Sequence, residues 1–261
     1  MPGVTAILIT LNESANIAGA LESVHWADEI IVVDAESTDD TVAIARRYTD
    51  RVIVRPWSGY VEQKNFAASQ ASHDWIFSMD ADERVTPELA AEIGALLESE
   101  PPCAGYRGPR VNHFLGRWIR TTDWYPDYQL RLYDRRRAKW AGRYVHESIR
   151  TDGDVGRLRA ELQHYSYRDV AHHVRTINQY SSLAARQMFE DGRRTGALDI
   201  VLRTDAAFLR NYLLRGGIRD GATGLIISLL NSYYVALKFV KLWELAHGQD
   251  SPREPSVDSS Q

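Results

Sequence analysis

A single cysteine, Cys103, excludes any disulfide within the chain and so excludes the disulfide-stapled class of small secreted folds. That usage fits a reducing compartment. Uninterrupted apolar runs are also lacking. The nearest candidate, Gly224–Leu245, is broken by Ser228, Asn231, Ser232, Lys238, Lys241 and Glu244, so no transmembrane helix is expected. The opening MPGVTAILITLNES has no basic stretch ahead of an apolar one, and no signal peptide is expected. Excess positive charge is absent as well: a net charge of −4 and a pI of about 6.1 leave no footprint for nucleic acid. No internal repeat is found.

What is present is an ordinary globular composition, 44% hydrophobic and 25% charged over 261 residues, enough for one substantial core with or without a small appendage. The first hundred residues alternate strand and helix. Thr5–Thr10, Glu29–Asp34, Arg51–Arg55 and Asp74–Met79 are short apolar runs that predict buried strands. Between them, Ser14–Val24, Thr41–Tyr48 and Tyr60–Ala71 have helical spacing. Thr86-Pro87 is a hydroxyl cap followed by proline at the first helical position, and it predicts a helix to about Glu98. Such alternation predicts a parallel sheet with helices on both faces, and in such sheets ligands bind beyond the carboxyl ends of the strands.

The middle third, Gly105–Tyr167, mixes glycines, aromatics and arginines with short strand-like runs at Gln129–Tyr133 and Leu158–His164. Asp169–Glu190, Leu202–Leu214 and Ala222–Ala246 predict helices. The expected organisation is a domain over residues 1–167, with halves 1–100 and 101–167, a helical extension over 168–246, and a disordered tail over 247–261.

Three strands end in polar residues that should converge on one edge: Thr10-Leu11-Asn12-Glu13, Asp34 and Asp80-Ala81-Asp82. In SMDADERV, strand alternation would send Asp80 and Asp82 to the same side. Two close carboxylates repel, and a hard divalent cation, Mg²⁺ or Mn²⁺, removes that penalty and in turn holds a diphosphate. The bland alternative is an acidic turn before a helix. Asp34, in VVDAESTDDT, has a carboxylate suited to base N–H groups or ribose hydroxyls, or else it caps its own turn, while Ser37, Thr38, Asp39 and Asp40 serve as helix-start residues.

ITLNE, VVDAESTDDT and MDAD, in this order and spacing, resemble family 2 glycosyltransferases. The resemblance implies the GT-A fold, a Rossmann-like α/β sheet, here with a C-terminal helical extension. It implies that Thr10, Leu11, Asn12, Glu13, Asp34, Asp80 and Ala81 bind a nucleotide-diphosphate sugar, with uridine the commonest base. It also implies that Asp82 is the direct ligand of Mn²⁺ or Mg²⁺. SGYVEQKNFA with Lys64, WYPDYQLRLYDR, YVHESI and LRGGIRDGATGL followed by KLWE resemble the subgroup that includes lipopolysaccharide-core β-1,4-glucosyltransferases. In that group a histidine at the place of His146 can complete the metal shell. A base for inverting transfer is expected after the D-x-D strand, where Asp127 fits best and Asp123 is its rival; the Glu-Asp pair common there in the wider family is absent. Arg131 could brace the base or meet phosphate.

Two competitors are weighed. A sugar-phosphate nucleotidylyltransferase would need a glycine-rich basic loop after the first strand, and Leu11-Asn12-Glu13-Ser14 is neither. A binding protein without turnover would keep the fold but leaves the D-x-D unexplained. Basic residues cluster in Arg131–Arg143, six against one acidic, and in 202–246, six against three. Beside amphipathic helices they suit an anionic membrane surface or a phosphorylated glycolipid acceptor. The expected location is cytoplasmic, peripheral on the inner face of a bacterial plasma membrane.

Overall fold

The structure, a computed structural model, describes residues 2–142 and 147–248. His146 lies outside them, as does the expected tail from residue 249. Two compact units divide after Asp169.

In the first unit the strands and helices follow in the order β1 (Val4–Thr10), α1 (Ile17–Ser23), β2 (Glu29–Asp34), α2 (Thr41–Ala45), β3 (Val52–Val54), α3 (Tyr60–Ser69), β4 (Trp75–Asp80), β5 (Glu83–Val85) and α4 (Pro87–Glu98). Seven more strands complete it: β6 (Gly105–Phe114), β7 (Arg117–Ile119), β8 (Asp127–Asp134), β9 (Ala138–Ala141), β10 (Ser148–Thr151), β11 (Val155–Arg157) and β12 (Leu162–His164). The main sheet runs β3-β2-β1-β4-β8-β6-β12-β5. Its first four strands are parallel, β8 is antiparallel to β4 and β6, and β12 is parallel to β6 but antiparallel to β5. A separate hairpin joins β9 and β10.

Period-two alternation sorts the strand side chains into two cores. Ala6, Leu8, Val32, Phe77 and Met79 face α1 and α4, meeting Ile17, Leu21, Leu89, Ile93 and Leu97. Ile7, Ile9, Ile31, Val33 and Ile76 face the other way, onto Ala67 and Ala68 of α3 and onto Trp140 and Ile149 of the hairpin. Each fully buried aliphatic side chain contributes about 1.5–3 kcal/mol by leaving water. Thr86 caps α4 as its sequence predicts, its Oγ1 accepting from the Leu89 amide at 3.2 Å.

Six strands escaped sequence reading: β5, β6, β7, β9, β10 and β11. β6 is the longest strand, yet Pro109, two arginines and a bulge between Tyr106 and Arg107 blur its alternation. β5 is three residues long and directly follows Asp80-Ala81-Asp82, where the bland alternative was an acidic turn before a helix.

The second unit holds α5 (Val170–Glu190), α6 (Ala197–Leu209), a π turn over Arg210–Leu214, and α7 (Gly221–His247). α5 and α6 pack on α7. Gly224 lets α7 close on the preceding turn, since a Cβ there would stand 1.8 Å from the Gly217 carbonyl oxygen. Residues 217–247 are long and apolar enough to cross a bilayer by length and composition, contrary to the expectation of no such helix. Four of the six polar residues counted as interruptions are buried or bonded to neighbouring helices, while Glu244 is exposed. Ser228 and Ser232 are buried, Asn231 bonds Asn211, and Lys241 Nζ donates to Asn178, Ser181 and Ser182 of α5.

Candidate functional site

The carboxyl ends of β1, β2 and β4 bring together two stitched loops and an acidic turn. Asp34, at the end of β2, is fully buried. Its carboxylate accepts from Thr10 Oγ1 at 2.8 Å, from the Ser37 amide at 2.8 Å and from Ser37 Oγ at 2.6 Å. Asp34 therefore caps its own turn, the alternative left open by the sequence, and shapes the loop instead of facing solvent.

Asn12, in the left-handed region at φ 55°, crosses to that turn: its amide donates to Ser37 Oγ, and its Oδ1 accepts from the Thr38 amide. The Glu13 and Ser14 amides donate to Thr41 Oγ1 and Asp39 Oδ2. Hydrogen bonds from Thr41 lead the causes that hold Asp39 down to about 2. Leu11 is exposed at the loop tip and Thr10 is buried. Burial pushes the Glu13 carboxyl up, and nearby Asp82 adds to it.

Asp80 and Asp82 do not share one side as the alternation predicts. β4 ends at Asp80, and Ala81-Asp82 make the turn into β5, so the period of two stops. Asp80 faces Lys64 Nζ at 3.0 Å and Arg131 Nη2 at 2.7 Å. Burial alone would raise it, but these two cations overcome that and hold its carboxyl well below the usual range. Lys64 is buried on α3 with its ammonium 4.1 Å from the centre of the Trp140 ring. The neighbouring Asn65 exchanges hydrogen bonds with the Trp140 backbone.

Beyond Asp80 the charges alternate through the sheet. Glu83, fully buried, meets Arg131 at 2.5 Å and Arg110 at 3.1 Å, and accepts from the Asp80 amide. Arg110 then grips Asp127 Oδ2 through Nε and Nη2 at 2.9 and 2.7 Å, and Gln129 donates to Asp127 Oδ1 at 2.7 Å. The chain Lys64–Asp80–Arg131–Glu83–Arg110–Asp127 thus balances three cations with three anions. Arg131 links Asp80 to Glu83 and makes no contact with Asp127; Arg110, which sequence reading did not single out, holds the expected base instead. Asp123 lies in the 3₁₀ turn Thr122–Trp124 and is exposed.

Asp82 has a different partner, His164, which the sequence did not assign. β12 pairs His164 with Glu83 on one side and Asn112 on the other. The Tyr165 amide donates to the Asp82 carbonyl at 2.9 Å, fixing the register. His164 Nδ1 lies 2.6 Å from Asn112 Oδ1, and its Nε2 lies 3.2 Å from Asp82 Oδ2. Asn112 Nδ2 is spent on the Trp124 carbonyl, so Oδ1 is the acceptor and Nδ1 carries the ring proton. A neutral His164 then aims a lone pair at a carboxylate. Either a second ring proton or a cation must lie between them.

A divalent cation fits. Neighbouring ligands of an octahedral ion at about 2.1 Å stand about 3 Å apart, close to the observed spacing. Among the described residues no third His, Cys, Asp or Glu joins these two. Two protein donors with open positions suit an ion that takes its remaining ligands from phosphate and water. Of the expected metal pair, Asp82 is placed here and His146 lies outside the described residues.

Three arginines of the first basic cluster pair locally, while Lys139 is exposed and Arg143 lies outside the described residues. Arg135 donates to the Ala68 and Ala71 carbonyls, Arg136 pairs with Asp134 and Asp74, and Arg137 with Asp152.

Known proteins resemble this chain over most of its length. The model of the family "Glycosyl transferase family 2" matches residues 5–159. The lipopolysaccharide core biosynthesis glycosyltransferase LpsC of Rhizobium meliloti is 32% identical over 247 residues, covering 92% of each chain. An uncharacterized glycosyltransferase of Rickettsia prowazekii is 32% identical over 94% of this chain and 88% of its own length. Among solved structures, a mannosyltransferase of Pyrobaculum calidifontis, in complex with GDP-Man and Mn²⁺, superposes with a TM-score of 0.52 over 92% of this chain and 87% of its own, at 15% identity. That likeness gives the GT-A fold.

Proposed function

Because the chain belongs to glycosyl transferase family 2, we propose that it transfers a sugar, with inversion, from a nucleotide-diphosphate donor to a glycan or glycolipid of the bacterial cell envelope. The observation that carries this reading is the Asp82–His164 pair at the carboxyl edge of the sheet, two acceptors 3.2 Å apart beside the loops that would seat a nucleotide. Asp82 and His164 hold Mn²⁺ or Mg²⁺, with His146 as a further candidate ligand. When bound, that ion neutralises charge on the leaving diphosphate.

The protein's own residues do the rest. Thr10–Glu13 and the Ala81 backbone line the nucleotide, and Asp34 shapes their loop from beneath. Lys64 and Arg131 keep Asp80 ionised and aimed at the sugar side. Asp127 takes the proton of the acceptor hydroxyl as that oxygen bonds to the anomeric carbon and the bond to the diphosphate breaks on the opposite face. Arg110 and Gln129 orient the Asp127 carboxylate. Arg110 divides its charge between Asp127 and Glu83.

The role of LpsC in lipopolysaccharide core biosynthesis and the subgroup resemblance support an acceptor in lipopolysaccharide core, reached from the cytoplasmic face. A uridine donor follows from the family resemblance; the GDP-Man held by the Pyrobaculum enzyme keeps guanosine in the test.

The test is a donor screen by released diphosphate, with purified protein, Mn²⁺ and UDP-, GDP- and ADP-sugars. The expected result is slow hydrolysis of one donor, abolished by chelator and by Asp82→Ala. Wild-type metal-dependent turnover in Asp82→Ala would overturn the mechanism. Saturable metal-dependent binding with no released diphosphate, with or without a lipopolysaccharide-core acceptor, would favour the binding protein. Calorimetry showing no metal-dependent nucleotide binding would overturn both.

A further inference from the structure

The second unit carries an exposed apolar surface outside the residues assigned to transfer above. α6 buries none of its side chains. Leu198, Val201, Leu202 and Leu209, continued by Leu213 and Leu214 of the π turn, are all exposed, Leu198 at 70% and Leu214 at 82%. Spacings of three, four and seven residues lay Leu198, Val201, Leu202, Leu209 and Leu213 on one stripe, with Leu214 next to its end. Isolated exposed leucines are ordinary, but a continuous stripe of this kind marks a contact surface.

Charge surrounds the stripe. Residues 193–219 hold six arginines (Arg193, Arg194, Arg203, Arg210, Arg215 and Arg219) against Asp199 and Asp205, a balance of +4 on a chain whose net charge is −4. Arg203 and Lys238 both stand over the Phe239 ring, at 5.0 and 5.3 Å from its centre, so two cations share one aromatic ring. Asp199 pairs with Arg203 at 3.2 Å, an exposed bridge that neutralises little. Burial, and then Arg193 and Arg203, push Lys238 below the ordinary lysine value. An incoming phosphate would relieve that crowding.

We propose that this face docks in the interface of a bilayer containing anionic phospholipids, the α6 stripe reaching the acyl boundary and the flanking arginines meeting headgroup phosphates. Apolar residues beside a basic surplus are the two terms from which interfacial binding is built. A second copy of the chain is disfavoured as the occupant, because a two-fold contact through this patch would set the same arginines against each other. Spanning is disfavoured by the inward polar bonds of α7 to its two neighbours, Asn231 to Asn211 and Lys241 to Asn178. The inference rests on the second unit alone and stands apart from the catalytic reading.

Sedimentation of the full chain with vesicles tests it. The vesicles are phosphatidylcholine alone or phosphatidylcholine with about one-third phosphatidylglycerol, a mixture whose anionic lipid should attract the arginines. The wild type is expected to partition onto the anionic vesicles, weakly onto the neutral ones, and less at high salt. A variant carrying Leu198→Gln, Leu202→Gln and Leu214→Gln should lose at least about tenfold in partitioning, with unchanged circular dichroism and thermal midpoint. Arg203→Gln or Arg219→Gln should each cost about fivefold. A wild type that stays in solution with anionic vesicles, or a leucine variant that partitions as well as wild type, would overturn the proposal. So would a concentration-dependent dimer, seen by light scattering and dissolved by the leucine substitutions, in a protein that ignores vesicles.

Discussion

Glu83→Gln removes the central anion of the buried ion chain while keeping the shape of the side chain. Glu83 is fully buried and meets Arg131 and Arg110 through Oε1 and the Asp80 amide through Oε2. Without its charge, Lys64, Arg131 and Arg110 face only Asp80 and Asp127, and one positive charge is left uncompensated. Breaking a buried pair by deleting one partner costs about 3–5 kcal/mol. The glutamine amide can still accept one hydrogen bond, so the low end, about 3 kcal/mol, is expected. For a unit ending at Asp169 this lowers the thermal midpoint by about 6–12 °C. Adding Arg110→Gln restores the balance at two cations against two anions. The double variant should therefore be more stable than the sum of the singles by at least about 1 kcal/mol. Circular-dichroism melts and urea titrations of the four proteins read this directly. A midpoint fall of less than about 2 °C in Glu83→Gln, or strict additivity in the cycle, would refute the account of a charge-balanced chain.

His164→Gln keeps a hydrogen-bonding side chain but offers a weaker ligand, and Mn²⁺ affinity measured by titration calorimetry should fall at least about tenfold; unchanged affinity would remove His164 from the proposed metal pair. Asp127→Asn should lower kcat by about 10²–10⁴ while metal-dependent nucleotide binding persists; loss of binding and turnover together would make Asp127 structural. His173, buried in α5, is pushed by burial and by His172 from 6.5 to about 4. Its folded form favours the neutral ring, so the stability it contributes is whole above pH 6.5 and drains away as pH falls towards 4. The full loss is about 3 kcal/mol, and melts of His173→Leu across that range should be flatter than wild type.

Local signals carried the first half of the fold. Thr5–Thr10, Glu29–Asp34 and Asp74–Met79 are apolar runs whose burial follows from composition, and the strands lie within a residue of those limits. Thr86-Pro87 starts α4 where a cap and a proline require it. The π turn at Arg210–Leu214 was hidden, because the periodicity of Leu202–Leu214 continues through it while α6 itself begins earlier, at Ala197.

The sequence by itself determined the alternating α/β order, the arrival of Asn12, Asp34 and Asp82 at one sheet edge, and the family. These depend on residues close together in the chain or on motif order. Only the tertiary structure decided which carboxylate meets which partner: Asp34 turned under its own loop, Asp80 given to Lys64 and Arg131, Asp127 gripped by Arg110, Asp82 set against His164. Those partners lie 16 to 82 residues apart, except within the Asp34 turn, and are chosen by strand register. Each carboxylate is chemically equivalent in the sequence; the strand or helix pairing that brings a cation, an imidazole or a backbone amide to it is what makes the four different.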